Sequence, residues 1–262
     1  MKIKEITSYL EEIAPLAYQE NYDNCGLIVG DKNTDVNGTL ITLDCTEAIV
    51  DEAIETGCNL IIAHHPIIFT GLKKLNGSNY IERTVIKAIK NNIAIYAIHT
   101  NLDNVHNGVS AKIANKLGLQ NCKILCPKDE KNSINVGSGI LGELAESVES
   151  KVFLESLKTI MQTDCVRHTS LVKNTIKKVA VCGGSGSFLL SNAKALDADI
   201  FISADFKYHD FFDAENDIII ADIGHYESEQ FTKDLIYDLL TKNFTKFAVR
   251  LSKVNTNPIK YL

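Results

Sequence analysis

The chain has 262 residues, 45% apolar and 23% charged, which is ordinary globular usage; it excludes wholesale disorder and is long enough to bury a core without a disulfide or metal staple. A formal net charge of −6 argues against a predominantly basic face for nucleic acid. The seven cysteines are odd in number and scattered, with no C-x-x-C, so the expectation is reduced thiols and a cytoplasmic protein rather than a disulfide framework or thiolate zinc site.

In chain order, MKIKEITSYLEEI has charges among its apolar residues and no signal-peptide core. It places Ile3, Ile6, Leu10 and Ile13 at helical spacing, and Pro15 closes that helix. Short apolar segments at 26–30 and 39–43 read as strands, and Thr46 is placed to cap a helix that Gly57 ends. NLIIA (59–63) is uninterrupted and too short for a helix, so it reads as a buried strand running into HHP. A Gly-containing loop leads to a helix from about Ile81, with Asn79 and Glu82 in capping-box spacing. IAIYAI (93–98) repeats the buried-strand signature and runs into HTNLDN, followed by the helix VSAKIANKLG.

Residues 127–139 turn polar and Gly-containing, the expected domain boundary. Beyond it come a strand GILGELA, a helix from about 148 to 161 and a strand VAV (179–181). GGSGS then leads into a helix FLLSNAKAL, the strand DIFIS (199–203), a short helix near Tyr208 and the strand DIIIA (217–221). One helix, GHYESEQFTKDLIYDLL, and a strand KFAVRLS close the chain. No run reaches the ~18 apolar residues of a membrane span. Alternating strands and helices with uninterrupted apolar strands predict an α/β protein of two layered domains. The expected boundaries are 1–126, completed by 225–262, and 127–224.

In such sheets ligands gather beyond the carboxyl ends of strands, where HHP and HTNLD both lie. Adjacent His64 and His65 would point to opposite faces of a regular strand, though the strand is ending here, and both can serve one site if it holds two metals; a structural role suits the pair equally well. His225 and Glu229, four apart on a helix, share a face and can grip one ion or bridge two, although a polar first turn explains them too. Asp103 is placed as a bridging carboxylate or an Asx-turn, and His99 as a residue that orients a ligand or a water. GGSG (183–186) has glycines before a helix, a phosphate-like arrangement, but matches neither GxGxxG nor a Walker loop, and a plain tight turn fits it as well.

Five ordered blocks, DNCGLIVG (23–30), AHHPIIFTG (63–71), HTNLDNVHNGV (99–109), VAVCGGSG (179–186) and GHYESE (224–229), resemble the Nif-three-like (YbgI-like) family, often labelled GTP cyclohydrolase type 2 homologues. The resemblance implies a dinuclear site of His64, His65, Asp103, His225 and Glu229 in a cleft between two α/β domains, holding two divalent ions (zinc, iron, manganese or nickel). It also implies a ring-shaped homohexamer and a small-molecule substrate of nucleotide type. A further family block looks like 203–209 here, with Ala204 where glycine is usual, and its residues carry over only as cavity lining. The reaction implied is hydrolytic opening of a purine ring, with His99 and His209 as proton carriers. Two other readings stand beside it. A two-metal phosphoesterase is one, although Ala63 occupies the aspartate position of the Asp-His-His enzymes. The other is a metal-binding regulatory or interaction protein without strong catalysis.

Overall fold

The uninterrupted runs LIIA and AIYA become adjacent central strands, Leu60–Ala63 and Ala94–Ala97, every residue of which is buried. A computed structural model describes residues 1–128 and 135–262. It divides into two compact units, the first made of Met1–Leu102 with Thr232–Pro258, the second of Asp103–Phe231 with Ile259–Leu262.

In the first unit, Ala248–Leu251, Gly38–Thr42, Leu60–Ala63 and Ala94–Ala97 lie parallel in that order, and Gly26–Val29 closes the edge antiparallel to Ala94–Ala97. The helices Ile3–Ile13, Glu47–Glu55, Tyr80–Lys90 and Thr232–Asn243 belong to this unit. Leu40, Ile61 and Ile95 from the strands share one core with Ile49, Ala53, Val85 and Ala88 from the helices, because apolar surface on both sheet faces is removed from water only when helices cover both. Asn79 caps its helix as its spacing predicts, its side chain accepting from the Glu82 amide at 2.9 Å. Thr46 stands at the N-cap of Glu47–Glu55 but makes no side-chain cap bond.

The second unit is a six-stranded mixed sheet in the order Gln120–Pro127, Gly137–Glu149, Thr175–Ser185, Ile200–Ala204, Ile219–Asp222, Arg167–His168. Thr175–Ser185, Ile200–Ala204 and Ile219–Asp222 run parallel, and every other neighbouring pair in the sheet is antiparallel. Period-two alternation sorts its side chains cleanly: Ile140, Val179, Val181, Ile200, Ile202 and Ile219 enter one core, while Leu141, Ala180, Phe201 and Ile220 enter another on the opposite face.

Several elements differ from their sequence-based expectation. Residues 103–126, placed before the boundary by the change of texture at 127, lie in the second unit, because helix Val109–Lys116 gives Ile113 and Ala114 to that unit's core. Of the polar segment 127–139, residues 129–134 lie outside the described residues. The long helix expected after Gly224 is two helices, His225–Glu229 and Thr232–Asn243, interrupted at Gln230–Phe231. Phe231 is drawn into the second unit's core and the Gln230 side chain bonds Met161 O at 2.9 Å, so the chain turns there. Gly183, Gly184 and Ser185 do not form a turn before a helix; they extend strand Thr175–Ser185. Among the described residues no helix is long and apolar enough to cross a membrane, and none of the seven cysteines is in a disulfide.

Candidate metal centre

Register decides which side chains emerge together in the first unit. Thr42 pairs with Ala63 and Ala63 with Ala97, so three parallel strands end level, and Asp44, His64, His65 and His99 follow directly from those ends. At His64 the backbone bends, although His64 N and His65 N still bond Thr42 O and Leu43 O at 3.2 and 2.9 Å. The bend removes the alternation expected of a regular strand, and the two rings lie with centroids 4.9 Å apart. One ligand atom each from His64, His65 and His99 lies within 4.8 Å of the others.

Each of these imidazoles is fixed through Nδ1. His64 Nδ1 donates to Ile98 O at 2.8 Å, His65 Nδ1 to Asp44 Oδ1 at 2.8 Å, and His99 Nδ1 to Asp23 Oδ1 at 2.9 Å. A carbonyl or carboxylate oxygen only accepts, so in the neutral ring the proton sits on Nδ1 and Nε2 carries the lone pair a metal needs. The anchors are themselves held. Thr256 Oγ1 donates to Asp44 Oδ2 at 2.6 Å, and Asp23 accepts the Thr100 amide at 3.0 Å and the Thr100 hydroxyl. Burial opposes charge on Asp23, but its bonds from His99 and Thr100 outweigh that and hold the carboxyl well below its usual range. Replacing Asp44 by Asn is therefore expected to weaken divalent-metal affinity roughly 10–100-fold with little loss of fold, read by competition with a chromophoric chelator. Wild-type affinity in that variant would remove Asp44 from the site.

The second unit repeats the arrangement. Strands Thr175–Ser185, Ile200–Ala204 and Ile219–Asp222 end at Ser185, Ala204 and Asp222, and the chain continues to Asp205 beside one end and His225 beside another. His225 Nδ1 donates to Asp205 Oδ2 at 2.6 Å, and its Nε2 lies 3.1 Å from Glu229 Oε2, one turn along the same helix. Burial works against a charged imidazole here, yet the Glu229 and Asp205 carboxylates raise His225 to about 11, so this is a place that favours positive charge. Asp103, the last residue of the short helix Thr100–Asp103, is half-buried. Burial, followed by the charges of Asp103 and Glu229, pushes the Cys182 thiol up, which places both carboxylates near that one side chain.

Gly183 and Gly184 make room for this cluster. A Cβ on Gly183 would stand 2.6 Å from Val109 Cγ1; on Gly184 it would stand 2.3 Å from Glu229 Oε1 and 3.4 Å from His225 Cε1. Gly184 also has φ +66°, its amide donates to Ser228 Oγ at 2.9 Å, and its carbonyl accepts from Ser203 Oγ at 3.0 Å. The helix beyond, Leu190–Ala195, is only six residues long and does not begin at the glycines, and what the glycines are seen to do is make room for packing.

These donors fit a divalent cation: imidazoles with fixed tautomers, buried carboxylates, and a local field that stabilises positive charge. The structure gathers His64, His65 and His99 in the first unit, and Asp103, His225 and Glu229 in the second. His209 lies elsewhere on the second unit, its exposed ring 5.2 Å from Tyr208 and 6.2 Å from Phe212. Sequence reasoning missed Asp44, Asp23 and Asp205 as anchors; for Asp44 and Asp205 the available signal was an aspartate just past a buried strand end, and for Asp23 there was none.

A profile of the Duf34/NIF3 (NGG1p interacting factor 3) family matches residues 1–258. The chain is 35% identical over 230 residues to a GTP cyclohydrolase 1 type 2 homolog of Clostridium acetobutylicum, covering 87% of this chain and 85% of that one. It is 34% identical over 263 residues to the homolog of the same name from Campylobacter jejuni, with both chains fully covered. Among solved structures it is similar to a Bacillus cereus protein related to NIF3, with a TM-score of 0.92, 25% identity, and 100% and 99% of the two chains covered.

Proposed function

We propose that this chain, which belongs to the Duf34/NIF3 family, is a metal-dependent hydrolase that uses His64, His65, Asp103, His225 and Glu229 to hold two divalent ions and opens the imidazole ring of a guanine nucleotide. The observation that carries the reading is the anchoring of the three histidines among these donors, each with Nδ1 fixed to an oxygen so that Nε2 is the donor atom. An unspecialised surface histidine needs no such fixing. Bound cations would supply Lewis acidity and bring the pKa of an attached water towards neutrality.

The protein's own groups do the rest of the work. Glu229 and Asp103 add negative charge at a buried place, which offsets the cations' cost of desolvation. His99, held by Asp23, is assigned the acceptance of a proton at Nε2, whereas the position of His209 away from the donors withdraws the proton-carrying role expected of it. Mixed imidazole and carboxylate donors suit zinc, iron, manganese or nickel. A cytoplasmic homohexamer, as the resemblance implies, completes the proposal.

The test is formate release from GTP by protein loaded separately with each of these metals, with light scattering on the same sample. Turnover with at least one metal and a mass of six copies are expected. Absence of formate at every loading sinks the cyclohydrolase reading, and any other mass removes the hexamer.

A further inference from the structure

A groove of about 460 Å³ on the second unit, lined by Arg167, His168, Thr169, Tyr208, Phe211 and Phe212, has a chemistry that the metal donors do not account for. Its volume falls within the range of small-molecule sites. One wall is the edge strand Arg167–His168; the other is the short 3₁₀ helix Tyr208–Ala214. Tyr208 and Phe212 are 73% and 65% exposed, and their rings meet edge to face at 5.6 Å. Two adjacent aromatic rings left in water are a costly surface that a flat ligand would cover.

The cation in this wall is built in. Arg167 Nη2 donates to Phe206 O at 3.0 Å and to the buried Asp222 carboxylate, and the guanidinium lies 5.4 Å from the Phe211 ring centroid. Asp222 also accepts the amides of Phe206 and Gly224, each at 3.0 Å, so it holds Arg167, the start of the aromatic segment and the residue before His225 in one frame. These bonds use only the Nη2 corner; the Nε and Nη1 donors, whose fork matches a phosphate, stay outside them. His168 adds a ring whose Nδ1 is satisfied by Thr169 O at 2.7 Å. Arg167 also acts electrostatically on Asp205, the partner of His225, so the groove adjoins the metal donors of its own unit.

We propose that this groove binds a purine mononucleotide, with the base against Tyr208 and Phe212 and the phosphate on Arg167. Aromatic stacking of a base and a guanidinium fork for its phosphate are complementary in both shape and charge. The choice of purine rests on the function proposed above, whereas binding here requires neither metal nor turnover.

The test is calorimetric titration of the full chain with GMP and with ribose 5-phosphate, before and after removal of metal by EDTA. GMP is expected to bind in both states. Tyr208→Ala with Phe212→Ala, both at exposed positions, should weaken GMP at least about tenfold while leaving ribose 5-phosphate unchanged. Arg167→Lys should weaken both ligands, because a lysine loses the fork. Failure of GMP to bind at millimolar concentration, or equal binding to the double aromatic variant, overturns the proposal. So does a change in oligomeric state of that variant with GMP affinity intact, which would assign the aromatic face to contact between copies. Formate release is read separately: binding without turnover keeps the groove and loses the cyclohydrolase, while turnover with KM unmoved by the groove variants does the reverse.

Discussion

Glu229→Gln is expected to lower divalent-metal affinity by more than about 100-fold while the protein stays folded, because loss of a residue that merely orients a ligand already costs roughly 10–100-fold. The side chain is buried, and the amide has nearly the same shape, so packing is conserved and only the charge is removed. The amide oxygen is a much weaker donor than a carboxylate, and His225 loses the larger of the two charges that favour a cation beside it. Metal analysis of protein purified without an affinity tag reads the effect directly, with circular dichroism to confirm the fold. A variant that keeps the wild-type metal content would show that Glu229 is no ligand. His225→Ala should behave in the same direction.

Gly184→Ala is the second large effect, and it is a backbone argument rather than a ligand one. At φ +66° an alanine carries about 1–3 kcal/mol of strain. Its Cβ would also collide with Glu229 Oε1 at 2.3 Å, an overlap that costs roughly 1–3 kcal/mol to relieve by moving something else. The part that must move is the Glu229 carboxylate, since the other neighbour, His225 Cε1 at 3.4 Å, stands at ordinary contact distance. The expected result is a lower melting temperature together with loss of metal from a chain whose five proposed ligands are all intact. Wild-type metal content in Gly184→Ala would separate the glycine from the site and leave it a purely conformational residue.

The contrast between these two variants reflects what each level of description makes visible. Strand positions were legible because a core excludes water: LIIA, AIYA and IFISA are short, mostly apolar runs without a charge, and each became a buried strand. His64 and His65 stood out because they follow a buried run directly, and His225 because it stands one helical turn from Glu229. The helix after Gly224 was misjudged because apolar periodicity continues past Gln230, and periodicity does not report which core Phe231 will enter. The glycines of GGSG were misjudged for a related reason. Glycine marks a close approach or an unusual φ, and only the folded chain shows that one close neighbour is a glutamate 45 residues onward.

The sequence by itself determined the α/β class and the buried strands, since those follow from local composition and period. Tertiary structure alone decided the register that brings Asp44 to His65, Asp23 to His99 and Asp205 to His225. These contacts join residues 21, 76 and 20 positions apart, and nothing local selects one aspartate over its neighbours. The pairing of strand ends fixes them, and with them the nitrogen each imidazole offers.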